Sequence, residues 1–120
     1  MRISELAKAT NESPRTIRFY ESLGLISEPP RTSNGYRDYG TEAIDQIRFI
    51  RGLQAAELSL TEIKAVSDIA AKDRPLDASD AALITSAQAR VERHLETLMR
   101  ARADLVALVH PARTGATVSP

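Results

Sequence analysis

The chain has 120 residues, enough for one compact domain and an extension but too few for a second full domain. Hydrophobic residues make up 42% and aromatic residues only 4%, which favours an aliphatic, helical core, and the absence of cysteine excludes disulfides, thiolate metal sites and cysteine nucleophiles. The formal net charge is zero, so a nucleic-acid-binding function would have to depend on where individual arginines lie.

Two short helices joined by a tight turn are predicted at the start of the chain. The first covers residues 4–10, and the turn follows at Asn11, a residue type that tolerates the left-handed conformation. Ser13 and Pro14 then provide a helix cap and a first helical residue, so a second helix is predicted to continue to about Ser22. This spacing is typical of a helix-turn-helix.

A β-hairpin is predicted between Leu25 and Tyr39. Its centre is Asn34-Gly35, a dipeptide favoured where both turn residues need a positive φ. The flanking segments are too short and polar to form an independent sheet, so the hairpin must lie against the neighbouring helices. We therefore expect a small wing beside the helix-turn-helix.

Two more helices and a hinge are predicted next. Thr41 caps a third helix with an apolar stripe, and Ser59 and Glu62 have the spacing of a capping box that opens a fourth helix. We expect an N-terminal module over residues 1–71, followed by a hinge loop over 72–78.

The last predicted helix, residues 79–110, is longer than this module could cover. Its apolar residues recur every seven positions, which is typical of a coiled-coil seam, and a lone helix of this kind needs a partner from a second subunit. The predicted fold is mainly α, a winged helix-turn-helix followed by a long dimerisation helix, and residues 111–120 are expected to be disordered. The predicted homodimer contacts are Ile84, Ala87, Val91, His94, Leu95, Leu98, Ala101, Leu105 and Leu108.

Arginines mark the proposed recognition surface. Arg15 and Arg18 share an outer face of the second helix, and arginine side chains bind guanine edges and phosphates in the major groove of duplex DNA. Arg31, Tyr36 and Arg37 on the hairpin would add phosphate contacts from the flank.

Four motifs, in their order and spacing, resemble the signature of MerR-family regulators: ISELA at 3–7, RTIRFYE at 15–21, GL at 24–25 and NGYRDY at 34–39. The resemblance covers roughly residues 2–110 and implies a winged helix-turn-helix joined to an antiparallel coiled coil between subunits. It also implies that the dimer binds a promoter with a long spacer and bends and untwists it so that RNA polymerase engages. The DNA contacts it implies are Arg15, Thr16, Arg18, Tyr20, Arg31, Tyr36 and Arg37.

The chain also departs from the family pattern. Asn11 stands where glycine is usual and Glu12 where an apolar residue is common. The layout is closest to the short, copper-sensor-like members, but no cysteine stands at either end of the long helix, which excludes soft-metal sensing by thiolates. No cofactor and no metal site are predicted, although a minor alternative is a hard-metal or small-molecule site at His110 and Asp77.

Two other functions stay open, an excisionase-like architectural DNA-binding protein and a coiled-coil adaptor without DNA-binding activity. The long pairing helix argues against the first, whereas the neutral charge permits the second. An enzyme is not expected, because the sequence contains no nucleophile–base set and no phosphate loop. No apolar stretch is long enough to cross a membrane and no signal peptide is recognised, so a cytoplasmic protein is expected. The effector and the operator sequence are left undetermined.

Overall fold

The computed structural model describes residues 1–110, and the tail predicted to be disordered, 111–120, lies outside them. The described part is mainly helical, as predicted. Its five helices are α1 (Ile3–Thr10), α2 (Pro14–Ser22), α3 (Glu42–Ala55), α4 (Leu60–Ala70) and α5 (Ala78–Val109). Over these residues, no helix combines the length and the apolar character that a membrane span requires.

The helix-turn-helix of α1 and α2 is closed by the residues that marked it in the sequence. Asn11 ends α1 with a φ of 56°, in the left-handed region, and its N–H donates to the carbonyl of Ala7. The Ser13 hydroxyl caps α2 by accepting a hydrogen bond of 3.1 Å from the backbone N–H of Thr16, and Pro14 is the first helical residue.

The acidic residue in this turn is partnered by α3. A carboxylate oxygen of Glu12 lies 3.6 Å from Nε of Arg51, and the same guanidinium donates a hydrogen bond to the carbonyl of Thr10 at the end of α1. This chain therefore fastens the turn to α3 with an ion pair and a hydrogen bond rather than with an apolar side chain.

The hydrophobic core lies among α1, α2, α3 and α4 and receives side chains from all of them. Complete burial of one leucine or isoleucine side chain is worth about 1.5–3 kcal/mol, so a few such residues dominate the stability of this small module. The largest fully buried side chains are Leu6, Ile17, Ile47, Ile50 and Ile63.

The predicted β-hairpin is not formed as a pair of strands. Between α2 and α3 the described residues contain one isolated antiparallel bridge, which joins Arg31 to Arg37. The N–H of Asp38 donates to the carbonyl of Pro30 at 2.8 Å beside that bridge. The segment 30–38, which we call the wing loop, therefore has the connectivity of a hairpin without the length of a ladder.

The turn in the wing loop also differs from the prediction. The N–H of Gly35 donates to the carbonyl of Thr32 at 2.9 Å, so the central residues are Ser33 and Asn34. Only Gly35 has a positive φ, at 84°, and the N–H of Thr32 donates to the carbonyl of Tyr36 at 2.7 Å. This is the arrangement of a type I turn followed by a left-handed glycine, a common three-residue hairpin loop with a bulge.

Within residues 1–110, helix α5 is attached to the module along about its first four turns, up to Arg90. The carboxylate of Asp80 is buried and accepts a hydrogen bond of 2.8 Å from Nζ of Lys72 in the hinge. Ala87 packs against the core, and Arg90 pairs with Glu62 of α4. The described molecule is consequently elongated, because the remaining turns of α5 continue away from the module.

Candidate nucleic-acid interface

Helix α2 presents two arginines to solvent while its inner face is buried. Ile17 is fully buried in the core, and Arg15 and Arg18 are exposed. Phe19, next to Arg18, is also about half exposed, at 48%. The structure therefore orients the two arginines of α2 as the sequence predicted, away from the core.

Thr16 is placed at the edge of this surface, with its hydroxyl engaged in the helix cap. Its Oγ1 accepts a hydrogen bond of 2.9 Å from the hydroxyl of Ser13. The residue is half buried. It lies beside the outer arginines, but part of its hydrogen-bonding capacity serves the start of α2.

Tyr20 does not lie on the outer face. Its side chain is only 4% exposed, and its hydroxyl donates to the side-chain oxygen of Gln54 at 3.1 Å. Burial raises the pKa of Tyr20 above its ordinary value, and the negative charge of Glu12 adds to this effect. The prediction of a groove or phosphate contact at Tyr20 is therefore corrected, because this residue belongs to the core.

The wing loop and the first two helices enclose an open cleft of about 340 Å³. Four of the side chains that line it are arginines and none is a carboxylate, so the cleft concentrates positive charge in a chain whose formal net charge is zero. We call it the arginine cleft; its lining residues are Arg2, Ile3, Ser4, Arg18, Arg31, Gly35, Tyr36 and Arg37.

The two wing arginines are held by neighbouring groups. Nη1 of Arg31 donates to the carbonyl of Gly35 across the turn at 2.9 Å. Nε of Arg37 lies 3.1 and 3.3 Å from the two carboxylate oxygens of Glu21 on α2. This ion pair connects the wing loop to the proposed recognition helix. Its Glu21 side chain is largely buried, so loss of Arg37 would leave a buried charge without its partner.

A buried tyrosine lies behind this ion pair. Tyr39 is almost fully buried, and its hydroxyl has no hydrogen-bond partner in suitable geometry among residues 1–110. Burial raises the pKa of Tyr39, and the Glu21 carboxylate raises it further, whereas the charge of Arg37 opposes the shift. Tyr39 is thus a neutral packing residue beneath the wing rather than an external contact.

Sequence reasoning missed one of the four arginines that line the arginine cleft. The guanidinium carbon of Arg2 lies 4.3 Å from the centroid of the Tyr36 ring, which is a cation–π distance. Tyr36 is 52% exposed and otherwise projects from the wing loop. The only signal in the sequence was an arginine directly before the first helix, and no motif links residue 2 to residue 36.

The predicted dimerisation residues lie along α5 with two different environments. Ile84, Ala87 and His94 are half buried within the chain. The others are exposed, as Leu98 illustrates at 54%. The exposed members of the predicted seam are Val91, Leu95, Leu98, Ala101, Leu105 and Leu108.

Within residues 1–110, no cluster of three or more histidine, aspartate or glutamate side chains could hold a metal ion. The alternative site at His110 and Asp77 is not formed within the chain, because these residues cap opposite ends of α5, and a helix of 32 residues separates them by about 50 Å.

Comparison with known proteins shows which family this sequence matches. The family model described as "MerR HTH family regulatory protein" matches residues 1–68. The HTH-type transcriptional regulator CueR of Escherichia coli O157:H7 is 31% identical over 110 residues, which are 92% of this chain and 82% of that protein. The mercuric resistance operon regulatory protein of Bacillus cereus is 42% identical over 72 residues, which are 60% of this chain but only 54% of that protein.

Two solved structures have a similar fold. The transcription regulator PbrR691 from Ralstonia metallidurans CH34, solved in complex with lead(II), is 30% identical with a TM-score of 0.64 and covers 92% of this chain and 86% of its own. HiNmlR, a MerR family regulator lacking the sensor domain and bound to promoter DNA, has a TM-score of 0.69 over 96% of this chain and 94% of its own. At 18% identity, the second likeness shows the fold alone.

Proposed function

The chain belongs to the MerR family of DNA-binding transcription regulators, and on that premise we propose that two copies bind one promoter duplex together. The observation that carries this proposal is the arginine cleft, which lies between the proposed recognition helix and the wing loop and is lined by four arginines and no carboxylate. Arginines in such a cleft can bind backbone phosphates, and contacts to phosphates supply a large share of the affinity of a protein for duplex DNA.

In the proposed complex, α2 enters the major groove. Arg15 and Arg18 are oriented to bind base edges or phosphates, and Thr16 is at the groove edge. The wing loop approaches the flanking backbone through three further residues, which are Arg31, Tyr36 and Arg37. Tyr20 has no direct role, because it is buried.

The dimer is proposed to form through α5. The exposed apolar side chains from Val91 to Leu108 repeat with the period of a coiled coil, and exposed apolar surface of this extent is unfavourable in water. Pairing two copies along this helix would cover these side chains. We keep the division proposed from sequence, with a DNA-binding module over 1–71, a hinge over 72–78 and a dimerisation helix over 79–110.

Two modules held at a fixed separation would impose a shape on the base pairs between their half-sites. Bending and untwisting of that spacer costs a few kcal/mol, which the contacts at both ends offset. We propose that the dimer regulates RNA polymerase at its promoter through this distortion, in the cytoplasm where both DNA and polymerase are found. The effector, if there is one, is not bound by thiolates, since the chain has no cysteine.

Selection of bound duplexes from a random pool tests this proposal. We expect enrichment of two inverted half-sites at one fixed spacing, and loss of that enrichment for Arg18→Ala. Enrichment of single, unpaired half-sites would contradict dimeric recognition. Failure to enrich any sequence, with the dimer intact, would instead favour the adaptor alternative.

A further inference from the structure

The N-terminal segment of the chain is held between α1 and the residue that follows the wing loop. The N–H of Tyr39 donates to the carbonyl of Met1 at 2.7 Å. The N–H of Arg2 donates to a carboxylate oxygen of Glu5 at 3.1 Å, at the start of α1. Residue 2 therefore has a defined position between α1 and the wing loop.

The side chain of Arg2 is oriented by an aromatic ring. Its guanidinium lies over the face of Tyr36, with 4.3 Å between the guanidinium carbon and the ring centroid. A guanidinium stacked on one face retains its N–H donors at the edge, and these donors are suited to a phosphate. The stack restricts the Arg2 side chain before DNA binds, so less conformational entropy is lost on binding than for a freely moving arginine.

The charges in the arginine cleft are not equally engaged. Arg37 is paired with Glu21 and Arg31 donates to a backbone carbonyl. Among residues 1–110, neither Arg2 nor Arg18 has a carboxylate within ion-pair distance. Two unpaired cations on the walls of one open cleft favour the entry of an anion.

We propose that Arg2 is a further DNA-contacting residue, which binds a backbone phosphate of the duplex in the arginine cleft while Tyr36 holds its guanidinium in place. The inference rests on the proposed function, because it takes duplex DNA as the source of the phosphate. Arg18 lines the same cleft and lies on α2, so a phosphate bound there is beside the proposed major-groove contact. A backbone contact sets the position of the protein on DNA and carries no direct sequence information.

The first test measures the salt dependence of binding to a selected operator for wild type, Arg2→Ala and the matched control Arg100→Ala. Arg100 is exposed on α5, outside the arginine cleft, and loses the same charge. Arg2→Ala removes one contact from each of the two subunits, so we expect about hundredfold weaker binding of the dimer and a salt slope shallower by about 1.8, the value for two lost phosphate contacts. An affinity and slope equal to those of Arg100→Ala would overturn the proposal.

A second test locates the phosphate. Single neutral methylphosphonates are placed in turn along one half-site, and each modified duplex is titrated with wild type and with Arg2→Ala. We expect one position where the modification weakens wild type but adds no further loss to the variant, since the shared contact is already absent. Independent, additive losses at every position would contradict a contact between Arg2 and the backbone.

The two levels of the proposal fail differently. If the selection with wild type yields no operator, the proposed function itself fails. If wild type binds, Arg18→Ala weakens binding and Arg2→Ala does not, only the assignment of Arg2 fails. Titration with inorganic phosphate in the absence of DNA is the third arm, and saturable binding lost in Arg2→Ala would reassign the cleft to a free anion.

Discussion

Glu57 illustrates strain at a single residue. It follows α3 with a φ of 68°, a left-handed conformation in which glycine is common. The N–H of Glu57 donates to the carbonyl of Gln54, and that of Leu58 donates to the carbonyl of Leu53, so the helix end fixes this geometry. A side chain in this region costs about 1–2 kcal/mol, and glycine carries an entropic cost of about 0.5–1 kcal/mol.

We therefore expect Glu57→Gly to raise the free energy of unfolding by up to about 1 kcal/mol, measured by urea denaturation at a fixed protein concentration. Glu57→Ala is the matched control, because it removes the carboxylate but keeps Cβ. An equal gain in both variants would assign the effect to charge and not to the backbone.

Asp80 illustrates a charge whose ionised form is favoured by the fold. The hydrogen bond from Lys72 holds the pKa of Asp80 below its ordinary value, and the backbone N–H of Asp77 and the charge of Arg74 act in the same direction, while burial opposes them. A carboxyl whose pKa is lowered by folding stabilises the fold at pH values above its ordinary pKa of about 3.9. This contribution is lost as the pH falls through the pKa of the folded state.

Asp80→Asn should therefore destabilise the chain near neutral pH, and the difference from wild type should shrink as pH falls below about 4. Thermal or urea unfolding at a series of pH values measures this difference. A gap between the two proteins that stays constant from neutral pH into acid would contradict the role assigned to the ionised carboxylate.

At the scale of elements, the ion pair between Glu21 and Arg37 couples α2 to the wing loop. Glu21→Gln removes a negative charge near the DNA, which by itself would strengthen binding. If the carboxylate positions Arg37, its loss should instead weaken operator binding, by about tenfold. The two effects have opposite signs, so titration of a selected operator separates them.

Glu28→Gln provides the control for this experiment. Glu28 is exposed and lines the neighbouring cleft with Glu21 and Arg37, but it forms no ion pair within the described part of the chain. We expect Glu28→Gln to leave affinity unchanged or to increase it. Stronger binding by both variants would rule out a positioning role for Glu21.

Local signals in the sequence predicted the helical elements well. Asn11, Ser13 and Pro14 form the turn and cap that their residue types indicate. The Asn34-Gly35 dipeptide located the wing turn but not its type, because Ser33 can occupy the first central position and leave glycine alone in the left-handed region.

Tyr20 could have been placed correctly from helix geometry. It stands three residues after Ile17, and residues three apart share one face of a helix. Both are buried. The family motif assigned Tyr20 an external role, whereas periodicity indicated the core, and the hydrogen bond to Gln54 satisfies its hydroxyl there.

At the scale of the whole molecule, contacts between distant residues were beyond the reach of sequence patterns. The stack of Arg2 on Tyr36 brings the residue before α1 next to the wing loop, and no periodic pattern in the sequence connects these two positions. The heptad pattern on α5 was recognised, but not that Ile84 and Ala87 are partly covered by their own chain. Which turns of α5 are free depends on how α4 packs against it, a three-dimensional property.

The central claim is that two copies pair through α5 and bind one DNA duplex with the arginine clefts of both subunits. Sedimentation equilibrium of the chain with a selected operator measures this most directly. We expect the free chain to sediment at twice its mass of 13.1 kDa and the complex to contain two chains per duplex. Leu98→Asp should give monomers that no longer bind the full operator. A wild-type complex with one chain per duplex would contradict the claim.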